Sequence, residues 1–135
     1  MELLPRMRRI DGGKAMIYTT YFSMLRKLPD GIVPIAICGK APEWYKGLQY
    51  KKLAPQYGFF QEWKRTQDND YYVRCFREQV LEKLNPSIIV FELIELANGK
   101  DIALVCYEKP TDFCHRHIVR QWLIDSGFET EEWGL

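Results

Sequence analysis

Long apolar runs are missing from this 135-residue chain. The longest, Ile32–Cys38 and Ile88–Ala97, fall well short of the roughly 20 residues that cross a bilayer as a helix. An export segment is missing too, since Arg6, Arg8 and Arg9 near the start are not followed by an apolar stretch. The expected location is therefore cytoplasmic, with no membrane partner. Charge of one sign is also lacking: 19 basic and 18 acidic side chains leave a formal charge of +1. That excludes a polycation that holds nucleic acid by bulk charge alone. There is no Cys-x-x-Cys pair for thioredoxin-type exchange. Neither Gly-x-Gly-x-x-Gly nor a Walker loop occurs, so ordinary dinucleotide or triphosphate binding has no support. A phosphatase-like Cys-x5-Arg loop would need arginine where Asp112 follows Cys106. No repeat or low-complexity tract appears.

What is present is globular. Apolar residues make up 47% and charged residues 27%, near the average for folded domains. A chain of this length buries roughly two thirds of its unfolded surface. The organisation expected is a flexible N-terminal leader over 1–14, ending in Asp11-Gly12-Gly13, and one α/β domain over 15–135. Met16–Thr20, Ile32–Cys38 and Asp101–Tyr107 read as strands, rich in β-formers or apolar throughout. Pro34 inside the second is unusual for a strand interior. Helices are expected over Phe22–Leu28, over Asp70–Leu84 with Asp70 as cap, and over Ile88–Ala97 with Ser87 as cap. A last helix opens at Pro110-Thr111-Asp112 and runs to about Ser126. Gly39–Gly58 reads as a long irregular segment, and Phe128–Leu135 as an acidic tail. Strands alternating with helices give a three-layer α/β fold with a mainly parallel sheet. Ligands bind such sheets outside the carboxyl ends of the strands, which here means near Tyr21, Lys40 and Cys106.

The segment Cys106–His117 (CYEKPTDFCHRH) carries the densest chemistry. It holds both histidines and two of the four cysteines. Cys114 falls in the first turn of a helix, where backbone N–H groups favour a thiolate. Three chemistries fit. Cys114 can be a nucleophile with His115 as base or Arg116 as anion clamp. Cys106, Cys114 and His115 can ligate a metal, joined by Cys38 or Glu108, although the Cys-x7-Cys-His spacing matches no common zinc pattern. The helix start with Arg116 can bind a phosphate without covalent chemistry. The plain alternative is packing: Cys114, Ile118 and Trp122 are spaced by four, and free cysteine is among the most buried residue types. Cys106 in its apolar strand has the same alternative, and Cys75 reads as core. His115 and His117 point roughly 200° apart on a helix, so only one faces a common site. His115 is the better placed for it.

Between Lys40 and Arg65, basic residues interleave with Trp44, Tyr45, Tyr50, Tyr57, Phe59, Phe60 and Trp63. Rings among cations suit single strands, flipped bases or free nucleotides. Rings also anchor long segments on a core. Gly39-Lys40-Ala41-Pro42 starts at a strand end, where glycine admits a ligand close to the backbone and Lys40 can meet an anion.

The run LVCYEKPTDFCHRHIV, with Cys106, Glu108, Pro110, Cys114, His115 and Arg116, resembles the C-terminal signature of the domain of unknown function 488 family. Thr19 and Tyr21, the GKAP run and Leu53-Ala54-Pro55 resemble a small single-domain branch of it. The resemblance implies a Rossmann-like α/β domain with an active centre at the strand ends. Many members carry Asp-Val-Arg at the end of the second strand, where this chain has Ala36-Ile37-Cys38. The expected function is an enzyme, or enzyme-like domain, acting on a nucleotide or nucleic-acid base. Cys114, His115 and Glu108 would be catalytic, while Arg116, Cys106, Tyr21 and Lys40 would bind. The alternatives are a non-catalytic nucleotide or anion binder and a metal-stabilised structural domain. The expected partner is a small anionic ligand or nucleotide, with nucleic acid second. No motif indicates a cofactor.

Overall fold

A computed structural model describes residues 15–134. The leader expected over 1–14 lies outside the described residues. The strands are β1 (Ile17–Tyr21), β2 (Ile32–Ala36), β3 (Leu48–Gln49), β4 (Asp101–Cys106) and β5 (Thr130–Glu132). The α-helices are α1 (Tyr57–Thr66), α2 (Asn69–Gln79), α3 (Pro86–Leu96) and α4 (His115–Asp125). Every strand pair is parallel, and the sheet order is β3-β2-β4-β1-β5. This is a small Rossmann-like α/β fold.

The apolar strands are buried as a central parallel sheet requires: Ile102 to Val105 of β4 are all fully buried. Alternate residues divide between two cores. Ile35, Ile102 and Leu104 join Phe59, Phe76, Leu93 and Val119, which brings all four α-helices into one cluster. Ala36 and Val105 join a smaller cluster with Phe22, Tyr45, Cys38, Cys106 and Cys114. The third layer is thin, consisting of the 3-10 turn Phe22–Lys27 and the segment around Tyr45.

Pro34 is tolerated for a reason that can be traced. Ile37 N–H donates to Val105 O, so odd-numbered positions of β2 donate toward β4. The donor that proline lacks would point the other way, and β3 pairs only with Ile35 and Ala36 on that side.

Several boundaries differ from expectation. Asp68, not Asp70, caps α2, its carboxylate accepting from Tyr71 N–H at 3.0 Å. Asn85, not Ser87, caps α3 ahead of Pro86. The helix read to Leu84 tightens into a 3-10 turn at Leu81–Lys83. The segment read as irregular contains β3 and leads into α1. The segment read as an acidic tail contains β5, paired with Ile17–Thr19. Finally, α4 starts at His115 rather than near Pro110, and Cys114 is its N-cap residue with extended backbone.

Candidate functional site

Three chain segments converge at the carboxyl edge of the sheet. β4 ends at Cys106, paired with Tyr21 of β1. β2 passes through Ile37 into Cys38 and Gly39, held to β4 by the Ile37–Val105 bond. The turn Tyr107–Phe113 then returns the chain to Cys114, whose carbonyl accepts from His117 N–H as the helix begins. Residues far apart in sequence thus border one cavity of about 450 Å³.

Among the residues lining this cavity are Cys106, Cys114 and His115, each 5% exposed. Their donor atoms lie within 4.8 Å of one another. His115 Nε2 is 2.7 Å from Ile37 O. A carbonyl only accepts, so Nε2 carries the proton in that bond, and the tautomer is set by this partner. Nδ1 is left facing Cys106 Sγ at 3.6 Å. An unprotonated Nδ1 can take a thiol proton.

The two thiols are driven apart in acidity. A hydrogen bond from Cys106 holds Cys114 well below the ordinary thiol value; burial opposes this, and His115 and the Arg116 backbone N–H assist it. Cys106 moves up, because it bonds to the Cys114 thiolate and because it is buried. The pair therefore gives up one proton readily and holds the second. Cys38, also lining the cavity, is raised by burial. Glu108, at the exposed end, is raised by burial and then by the charges of Cys114 and Asp112, with Arg116 opposing.

The walls are aromatic. Tyr57, Phe60 and Trp63 come from α1, Tyr72 from α2, and Phe113 precedes α4. Trp63 stacks on Phe113 at 5.4 Å, and Tyr72 meets Phe113 edge-on at 5.0 Å. Of the seven rings in the aromatic-basic segment, three line this cavity. Tyr45, Tyr50 and Phe59 are core, and Trp44 stands 61% exposed. Tyr57, Phe60 and Trp63 were legible only as rings among lysines, and Tyr72 only as one helix face. None carried a signal for the site apart from the fold.

Not every expected site residue borders the cavity. Cys106, Glu108, Cys114, His115 and Lys40 do, whereas Arg116 and Tyr21 do not. Arg116 is fully buried, and its guanidinium meets the Glu132 carboxylate through two bonds of 3.1 and 2.6 Å. Its third contact donates to Glu108 O at 2.7 Å, and the Tyr21 ring lies 5.7 Å from its Cζ. Burial works against this charge, while Glu132 and Cys114 favour it. The anion clamp expected of Arg116 is thus occupied by a carboxylate of the protein itself. The sequence pattern alone places Glu132 in an acidic tail. His117 lies off the cavity, and its Nε2 is buried without a partner. Cys75 sits in the main core, as expected.

The fold and this edge define an α/β domain with a thiol–imidazole centre where its parallel strands end. Residues 23–127 match the model of DUF488-N3a, described as the active DUF488-N3 subclade. The chain belongs to the domain of unknown function 488 family. No curated protein and no solved structure matches it.

Proposed function

We propose that the protein is a small enzyme acting on a nucleotide or nucleic-acid base, with Cys114 as its nucleophile. The observation that carries this reading is that Cys106, Cys114 and His115 lie together in the lining of a ring-walled cavity. Flat aromatic walls suit a flat heteroaromatic ring. In this reading His115 Nδ1 takes the thiol proton while Ile37 O orients the imidazole. Cys106 donates to the resulting thiolate, and Glu108, whose carboxyl is raised by burial, is the acid–base partner bordering the same cavity. Arg116 acts as a positioning residue, fixing the Glu108 carbonyl and the start of α4, while Lys40 at the mouth meets the phosphate. The subclade's description as active accords with this assignment.

A second reading has its own observation. Two thiols and an imidazole within 4.8 Å, with the other imidazole N–H held by a carbonyl, also form a Cys2His donor set with its second contact in place.

The test is timed alkylation with iodoacetamide at neutral pH, mapped by mass spectrometry, with and without nucleoside monophosphates. Cys114 should react ahead of Cys75 and be protected by a nucleotide. Cys114→Ser should abolish turnover while the protein keeps its fold, as read by circular dichroism. Equal reactivity of Cys114 and Cys75 would remove the nucleophile. Protection of both Cys106 and Cys114 that disappears with chelator would replace it with the metal.

A further inference from the structure

A second depression lies beside the first, on the thin face of the sheet. It encloses about 1110 Å³, and its lining includes Phe22, Arg26, Lys27, Trp44 and Tyr107. Tyr107 lines both spaces, so a single ring borders the two. Two exposed cations, Arg26 and Lys27, border this groove and no acidic residue does.

Trp44 is the unusual feature. It is braced edge-on by Phe22 at 5.8 Å and by Tyr45 at 6.3 Å. It nevertheless remains 61% exposed, so it contributes little of its area to the core. Tyr107, 46% exposed, is fixed by Phe22 at 4.9 Å and by its hydroxyl bond to Lys40 O. Two held, open rings with cations at their border have the composition of a stacking platform for a polyanion.

We infer that the substrate is a single-stranded nucleic acid. Its reacting base occupies the aromatic cavity, the chain crosses Tyr107, and the adjoining nucleotide stacks on Trp44 with its phosphate toward Arg26 and Lys27. This rests on the reading of the cavity as a base site and adds that the base arrives within a strand.

The test measures fluorescence anisotropy with labelled pentanucleotides, as DNA and as RNA, with mononucleotides as competitors, alongside protection of Cys114 from alkylation. A pentanucleotide should bind at least tenfold more tightly than the matching mononucleotide. Trp44→Ala should erase most of that advantage, and Trp44→Phe should retain it. The Arg26→Ala/Lys27→Ala double variant should reduce the salt slope of log affinity by about 1.4, near 0.7 per single-strand phosphate contact. The DNA and RNA arms identify which sugar is preferred. If mononucleotides protect Cys114 but pentanucleotides bind no better, this inference falls and the base site stands. If pentanucleotides bind through Trp44 without protecting Cys114, the base site falls. If neither binds, both fall.

Discussion

Glu132→Gln isolates the one fully desolvated ion pair described at this edge. Arg116 is 0% exposed and the Glu132 side chain 5%, so the pair escapes the solvent screening that makes surface pairs weak. The amide keeps the size and one acceptor oxygen but removes the counter-charge. Thr19, whose hydroxyl donates to Glu132 Oε1 at 2.6 Å, retains an acceptor only if the amide oxygen faces it. Breaking a buried pair from one side costs about 3–5 kcal/mol, because the remaining charge stays buried. At about 2.1 cal/mol/K per residue, 135 residues carry an unfolding entropy near 0.28 kcal/mol/K. The expected fall in melting temperature is therefore about 10–18 °C. Urea unfolding followed by circular dichroism reads the same loss as a lower midpoint at constant slope. Glu131→Gln on the exposed neighbour should change stability by no more than about 0.5 kcal/mol. Adding Arg116→Met to Glu132→Gln should recover part of the loss, since the uncompensated charge is then gone, but not all, because Glu108 O loses its donor. A Glu132→Gln cost below about 1 kcal/mol, matching Glu131→Gln, would refute the buried-pair assignment. It would return Arg116 to the set of groups free to meet a ligand.

The two thiols should leave opposite marks on stability against pH. Cys114 is lowered on folding, so stability rises with pH between its folded value and the ordinary thiol value, and is lost again as pH falls through the folded value. Cys106 is raised, so stability falls once pH passes the ordinary thiol value, where only the unfolded chain ionises it. Cys114→Ser should flatten the rising limb and Cys106→Ser the falling one in urea titrations at stepped pH; wild-type limbs in both variants would break the assignment. Gly47→Ala should destabilise by about 1–3 kcal/mol, because the new Cβ would sit 2.6 Å from Tyr45 Oη. That hydroxyl cannot move freely, since it bonds to Leu48 O at 2.6 Å and Pro34 O at 3.2 Å. Gly39→Ala meets open space and should melt like the parent, yet it should weaken nucleotide protection of Cys114 if a ligand approaches that backbone. An unchanged melt for Gly47→Ala would contradict the packing around Tyr45.

The parts of the fold legible in the sequence were those with strong local chemistry. β4 is apolar throughout from Ile102 to Cys106, as a strand buried on both faces requires. The ends of α3 and α4 carry Asn98-Gly99 and Gly127, which adopt the positive φ that terminates a helix. α1 was illegible for the matching reason. Gln56 precedes it without a capping side chain, Gly58 sits in its first turn, and Gln67 takes the left-handed position that glycine usually fills. β5 was illegible because three polar residues carry no strand period. What makes Thr130–Glu132 a strand is pairing with β1 and the bond that Glu132 accepts from Arg116, both partners distant in sequence.

The site divides along the same line. Its thiol–imidazole cluster spans ten residues, Cys106 to His115, so spacing and residue type alone bring these three candidates together. Its walls come from α1 and α2, and only the crossover from β3 to β4 carries those helices over the strand ends. Arg116 shows how a local reading can go astray. An arginine in the first turn of a helix beside a thiol has the right local chemistry for an anion clamp. Whether it is free depends on a carboxylate sixteen residues away, on an edge strand that only tertiary pairing creates. A buried guanidinium must find such a partner, because the cost of leaving it unpaired exceeds what any single ligand contact would repay.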